Sequence, residues 1–157
     1  MRYNTGASFT WDGPDPADPA VCLRTTQAGQ QQRFMYGLRI MPFSYEPAFR
    51  RGLSSLWPLS PGRTAAFDYT GTQPSGAREQ FSESWSVERA ERINIAGVAR
   101  DTLVVRQTQR NVVPGLYLVH YIWWLDIESR VWIKMDIEIV QGRNATQPFQ
   151  ATILSRP

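Results

Sequence analysis

Leu116–Val140, LYLVHYIWWLDIESRVWIKMDIEIV, is the most apolar and aromatic stretch of the chain, and its reading decides the fold. It predicts two strands joined by a turn at Ile127–Arg130. Along a strand, successive side chains point to opposite faces. In the second half Val131, Ile133, Met135, Ile137 and Ile139 alternate with Lys134, Asp136 and Glu138. That is the pattern of a half-buried antiparallel strand. A four-residue turn sets Asp126 opposite Val131. Counting back places Leu118, His120, Ile122 and Trp124 on the core face. Tyr117, Val119, Tyr121, Trp123 and Leu125 then share the charged face, with Trp123 opposite Lys134 and Tyr121 opposite Asp136. The first strand is therefore apolar on both sides. Such a strand is central, and its second face must be covered by the N-terminal segment, a ligand or a partner, because monomers seldom leave large apolar patches bare.

Composition bounds the rest. A chain of 157 residues is long enough for a real core and reads as one domain, 1–157. Apolar content of 42% with 20% charged residues suits a globular protein and argues against disorder. Six Trp, six Tyr and seven Phe favour β-structure. The net charge of +3 comes from 17 basic and 14 acidic residues without long runs, which argues against nucleic acid as a partner. The single cysteine, Cys22, excludes an internal disulfide and a multi-cysteine metal site. No stretch reaches the ~20 apolar residues of a membrane span. The opening residues lack the apolar run of a signal peptide.

Outward from the hairpin, residues 1–56 read as an irregular arm, a short strand and a helical turn, and 57–157 as an antiparallel meander. Trp11–Ala20 packs three prolines and a glycine among its aspartates, which predicts turns without regular structure. Arg33–Ile40 is a candidate strand. Ser44–Arg51 predicts one short helix, with Ser44 as N-cap, Pro47 in the first turn and Gly52 ending it. Strands follow at Arg63–Thr70, Arg78–Glu88 with a kinked continuation over Glu91–Ile95, Val98–Gln109, the hairpin, and Pro148–Leu154. Gly71–Ala77 and Ala96-Gly97 are turns and Asn111–Gly115 a loop. Short connections make the sheet antiparallel. The expected fold is mainly β: a curved antiparallel sheet of six to eight strands, a half-barrel or open barrel, with an irregular N-terminal arm and at most one short helix.

The order of these signals resembles a group of uncharacterised bacterial secreted proteins. The resemblance rests on Trp57-Pro58-Leu59-Ser60-Pro61-Gly62, then Phe67-Asp68-Tyr69, Trp85-Ser86-Val87, Ala96-Gly97 before Leu103-Val104-Val105, Trp123-Trp124 and Val131-Trp132-Ile133-Lys134. The proline-rich arm with Cys22 adds to it. The usual turn before the lysine strand is replaced here by Trp124-Leu125-Asp126-Ile127-Glu128. The resemblance implies a half-barrel like that of the periplasmic lipoprotein carriers LolA and LolB, and an exported, periplasmic or cell-surface location. It carries over no catalytic residue.

Few residues suggest chemistry. His120 is the only histidine, sits mid-strand and reads as a buried neutral imidazole. Glu83 shares a face with Phe81, Trp85 and Val87, so it needs a partner, and Arg106 is the simplest one. Asp12, Asp15 and Asp18 tempt as calcium ligands, but the prolines disrupt any ligand spacing. Asn144-Ala145-Thr146 matches a glycosylation pattern that means little in a bacterium. Neither a metal nor a cofactor is expected. The expected function is a non-enzymatic binding or interaction module of the bacterial envelope, working in a protein assembly. Its surface would be built on Tyr117, Tyr121 and Trp123 with Trp85. One alternative is a carrier of an apolar ligand or lipid in a half-barrel cavity. The other is a small-barrel enzyme using Glu83 or His120 as acid or base.

Overall fold

The computed structural model describes residues 1–72, 76–95, 97–113 and 115–154. Of the expected turns, residues 73–75 of the first, Ala96, and Pro114 of the loop lie outside them. The meander is a seven-stranded antiparallel sheet. Its strands are β6 (Thr64–Thr72), β7 (Arg78–Ile95), β8 (Val98–Asn111), β9 (Leu118–Asp126), β10 (Trp132–Gln141) and β11 (Phe149–Ile153). The order is β1-β11-β10-β9-β8-β7-β6, where β1 is only Arg2–Tyr3. The sheet is open and does not close into a barrel. One short helix, α1 (Glu46–Ser54), completes the mainly β architecture.

The N-terminal arm differs from the expectation of irregular structure. It forms a second sheet from β2 (Phe9–Asp15), β3 (Asp18–Thr26), β4 (Gln31–Met35) and β5 (Arg39–Ile40). Pro14 is tolerated because β2 is an edge strand, and the pairing shifts on either side of it, between Trp11 and Gly13 and between Pro14 and Asp15. The aspartates build the hairpin tip. Asp15 accepts a bond from the Ala17 N–H at 2.9 Å, and Asp18 one from Ala20 at 3.1 Å. Asp12 accepts from Thr25, Asp15 pairs with Arg33, and Asp18 with Arg50. The three carboxylates thus serve separate contacts and do not converge. The expected strand at Arg33–Ile40 is instead a hairpin whose central residues Tyr36 and Gly37 both have positive φ, as a type I′ turn requires.

The N-cap is Tyr45, one residue later than the expected Ser44, and the helix runs through Gly52. Phe49 and Leu53 point into the core with Leu56, Val21 and Met35, against Ala65, Trp85, Val87 and Val105 of the large sheet. This helix-side core joins both sheets and the helix.

The faces of the hairpin are the reverse of the expected ones. The turn is as read: the Asp126 amide bonds the Val131 carbonyl at 2.9 Å. A β-bulge between Trp132 and Lys134 then inserts one residue into β10. Every later pair moves by one, so Trp123 faces Met135 and Tyr121 faces Ile137. A one-residue slip exchanges the two faces of a strand. Trp123, Tyr121 and Val119 therefore lie on the helix side, and Trp124, Ile122 and His120 on the far side with Lys134, Asp136 and Glu138. Both faces of β9 are covered, as its composition requires. On the far side Trp124 packs with Val104, Ile133 and Ala151 beneath Tyr3 and Ile95.

Candidate functional site

β6 to β9 each turn one face toward the helix side, and alternation brings Tyr69, Glu83, Trp85, Gln107, Gln109, Val119 and Tyr121 onto it. Glu83 is the centre. Its carboxylate is fully buried and takes four hydrogen bonds from neutral donors. The Tyr69 hydroxyl and Gln109 Nε2 donate to Oε1, each at 3.0 Å. Trp85 Nε1 at 2.9 Å and Gln107 Nε2 at 3.0 Å donate to Oε2. Four donors use the full acceptor capacity of an ionised carboxylate. The nearest cation is Arg39, 3.9 Å from Oε1. Arg106 is not the partner. It pairs across β7 with Ser86, on the opposite face, and bonds Glu88 at 2.6 Å.

The network spreads to Tyr121 and Trp123 of β9 and to Tyr117 just before it. Gln107 Oε1 accepts from Trp123 Nε1 at 3.0 Å. Gln109 Oε1 accepts from the Tyr117 hydroxyl at 3.1 Å, which lies 3.2 Å from the Tyr121 hydroxyl. Asn144 donates to both hydroxyls, so the residue of the glycosylation pattern closes the cluster. The four residues expected to form a surface, Tyr117, Tyr121, Trp123 and Trp85, are thus joined through Glu83, Gln107 and Gln109. Trp85 is buried and Trp123 half-buried, so these two support the network from within.

Tyr117 and Tyr121 open onto a cleft of about 260 Å³, also walled by Tyr45, Tyr69, Phe81 and Arg39. Among the described residues, Arg39 is the only charged one on its wall. Tyr45 stacks on Tyr69 at 4.1 Å, and Tyr69 on Phe81 at 5.5 Å. Burial, then the Glu83 carboxylate, holds the Tyr69 hydroxyl protonated far above the usual tyrosine range. Burial and the neighbouring Tyr121 hydroxyl do the same for Tyr117. Burial raises Tyr45 too, partly offset by Arg39. Burial works against the Arg39 charge, but Tyr45 and Glu83 outweigh it and raise its pKa. At neutral pH the described wall therefore offers the neutral hydroxyls of Tyr45, Tyr69 and Tyr117, amides and the Arg39 guanidinium.

His120 plays no part here. It sits on the far side of β9, with Nδ1 2.9 Å from the Thr108 hydroxyl. Glu83 and His120 occupy opposite faces and do not form an acid–base pair.

A second cleft, of about 520 Å³, lies between the β2–β3 hairpin, the Trp57-Pro58-Leu59 segment and the tip of the β9–β10 hairpin. Its walls include Tyr36, Trp57, Leu103, Leu125, Val131 and Trp132 and are largely apolar. Cys22 lies on this wall, and burial pushes its thiol pKa up, which favours the thiol over the nucleophilic thiolate.

Arg39, Tyr45 and Asn144 were not legible as site residues, because each comes from a separate element of no regular pattern. Gln107 and Gln109 carry a weak signal: amides at the core positions of β8, following Val105.

No protein-family model matches this chain, and no curated protein matches it. Among solved structures, the hypothetical lipoprotein YmcC from Escherichia coli (K12) is similar, with a TM-score of 0.52 at 12% sequence identity over 90% of this chain and 85% of that one. At that identity the likeness is one of fold alone.

Proposed function

We propose that this protein is a non-catalytic binding module of the bacterial envelope that holds a carboxylate-bearing segment of a partner protein in the Arg39 cleft. The observation that carries this reading is the saturated Glu83 network, which builds a fixed floor beneath Arg39. A wall already ordered by its own hydrogen bonds loses little freedom when a partner docks. Arg39 is about one-third exposed, with its nearest carboxylate oxygen 3.9 Å away, so its fork of donors faces the cleft. The four donors leave Glu83 no free lone pair for a substrate group, which favours binding over the enzymatic use of Glu83. The envelope setting draws on the fold shared with a lipoprotein.

A photo-crosslinking residue at Thr72, on the cleft wall, tests the reading in intact bacteria. The expected result is one discrete protein adduct that disappears with Arg39→Gln and persists with Arg51→Gln, a surface control. Adducts that ignore Arg39 overturn it.

The apolar cleft supports a second reading, carriage of an apolar ligand. Native mass spectrometry of the gently purified protein separates the two. A released adduct of lipid mass favours carriage, and a bare chain favours the Arg39 cleft.

A further inference from the structure

Five of the large apolar side chains that stand exposed cluster at one end of the large sheet. Val112 and Val113 lie on the β8–β9 loop with Leu116, which is 57% exposed, and Ile139 and Val140 lie near the end of β10. The backbone brings them together. Val112 bonds the Gln80 carbonyl at 2.9 Å, and the Asn111 amide bonds the Tyr117 carbonyl at 3.0 Å. Gly142 abuts the Leu116 carbonyl so closely that a Cβ there would collide with it. Gly115 lies within reach of the Gln141 side chain. Ile139 pairs with Val119 and Gln141 with Leu118, and the register shift between them sets Val140 at a bulge. The result is a protruding apolar tip, outside both cores.

Two exposed arginines flank it. Arg110 pairs across the ladder with Leu118, and Arg143 follows Gly142. Both are exposed, and neither makes an ion pair among the described residues. Of the nearby carboxylates, Glu79 takes a bond from Asn111, and Glu138 lies opposite His120, inward from the tip. Apolar side chains flanked by arginines match a surface with an apolar interior and an anionic rim. We infer that this tip docks the protein onto the face of an anionic lipid bilayer, with Val113 and Leu116 entering the acyl boundary and Arg110 and Arg143 meeting headgroup charges. A second copy fits less well, since self-association would bring the arginines of the two copies together. The tip is separate from the Arg39 cleft, so the inference stands apart from the proposed function.

The test uses the whole chain and vesicles of phosphatidylglycerol with phosphatidylethanolamine, read by co-sedimentation. Binding is expected at low salt, weakened about tenfold by the paired change Val113→Asp and Leu116→Asp. Arg143→Gln, or salt near ~0.5 M, should weaken it about threefold to fivefold, because headgroup attraction is screened. Val140→Asp supplies an independent apolar variant, and circular dichroism confirms that each variant is folded. Three results overturn the inference: no binding beyond that to pure phosphatidylcholine, binding indifferent to the apolar substitutions, or a vesicle-free dimer that Leu116→Asp makes monomeric.

Discussion

Glu83 shows what a single buried charge demands. Its burial was legible from the shared face of Phe81, Trp85 and Val87, because alternation along one strand needs no knowledge of the fold. Its partners were not. The expected Arg106 is excluded by parity, since Arg106 sits opposite Ser86 and Glu83 opposite Gln109. The actual donors come from β6, β7 and β8, and only the ladder register brings them together. Glu83→Gln tests their joint importance. An amide replaces one acceptor oxygen with an NH₂ aimed at existing donors, so at least two of the four bonds fail. A loss of roughly 2–4 kcal/mol is expected in urea unfolding at neutral pH. A change below ~1 kcal/mol would mean that the donors are readily rearranged.

Elements add a second kind of information, the distance at which they pack. Gly52 was read as a helix terminator, yet it lies inside α1. A Cβ at this position would strike the ring of Phe67, so the glycine sets how closely the helix lies on β6. Replacing a mid-helix glycine with alanine ordinarily stabilises by ~1 kcal/mol. Here the sign should reverse, with Gly52→Ala lowering stability by about 1–3 kcal/mol through overpacking. A rise in melting temperature would show that Phe67 moves aside freely. The N-terminal sheet was missed for a related reason. Proline argues against a strand in general, but it costs little at an edge or a bulge, and edge status is fixed by the partners a strand acquires. The kink in β7 was legible, and the structure has it as the register shift between Val87 and Arg89. The bulge at Trp132 was not, because neither Trp132 nor Ile133 is a residue type that marks one.

At the scale of the whole molecule, the open antiparallel sheet and its single helix were legible from strand periodicity and short connections, whereas the cleft required the assembled order. That order also governs the response to alkali. Burial leads the upward pKa shift at Tyr3, Tyr36, Tyr45, Tyr69 and Tyr117. An acid with a raised folded-state pKa favours folding fully below its unfolded value, near ~10 for tyrosine, and loses that contribution as pH climbs toward the folded value. Stability should therefore hold at neutral pH and fall steeply above pH ~10. Absorbance at 295 nm should show most tyrosines ionising together with the loss of the circular dichroism signal. Independent ionisation at ordinary values in a still-folded protein would contradict the burial. The pairing of Arg2 with Ile153 adds a matter of timing. Besides its local bridge to Ser8, β1 gains a place in the large sheet only through β11, far along the chain, and Tyr3 rests edge-on against Phe149. Until that pairing forms, the far side of β9 lacks the cover of Tyr3 and Ala151, and Trp124 stands open to whatever it meets. The long-range pairing of β1 with β11, rather than the closing of any single hairpin, is therefore the step that buries this adhesive face.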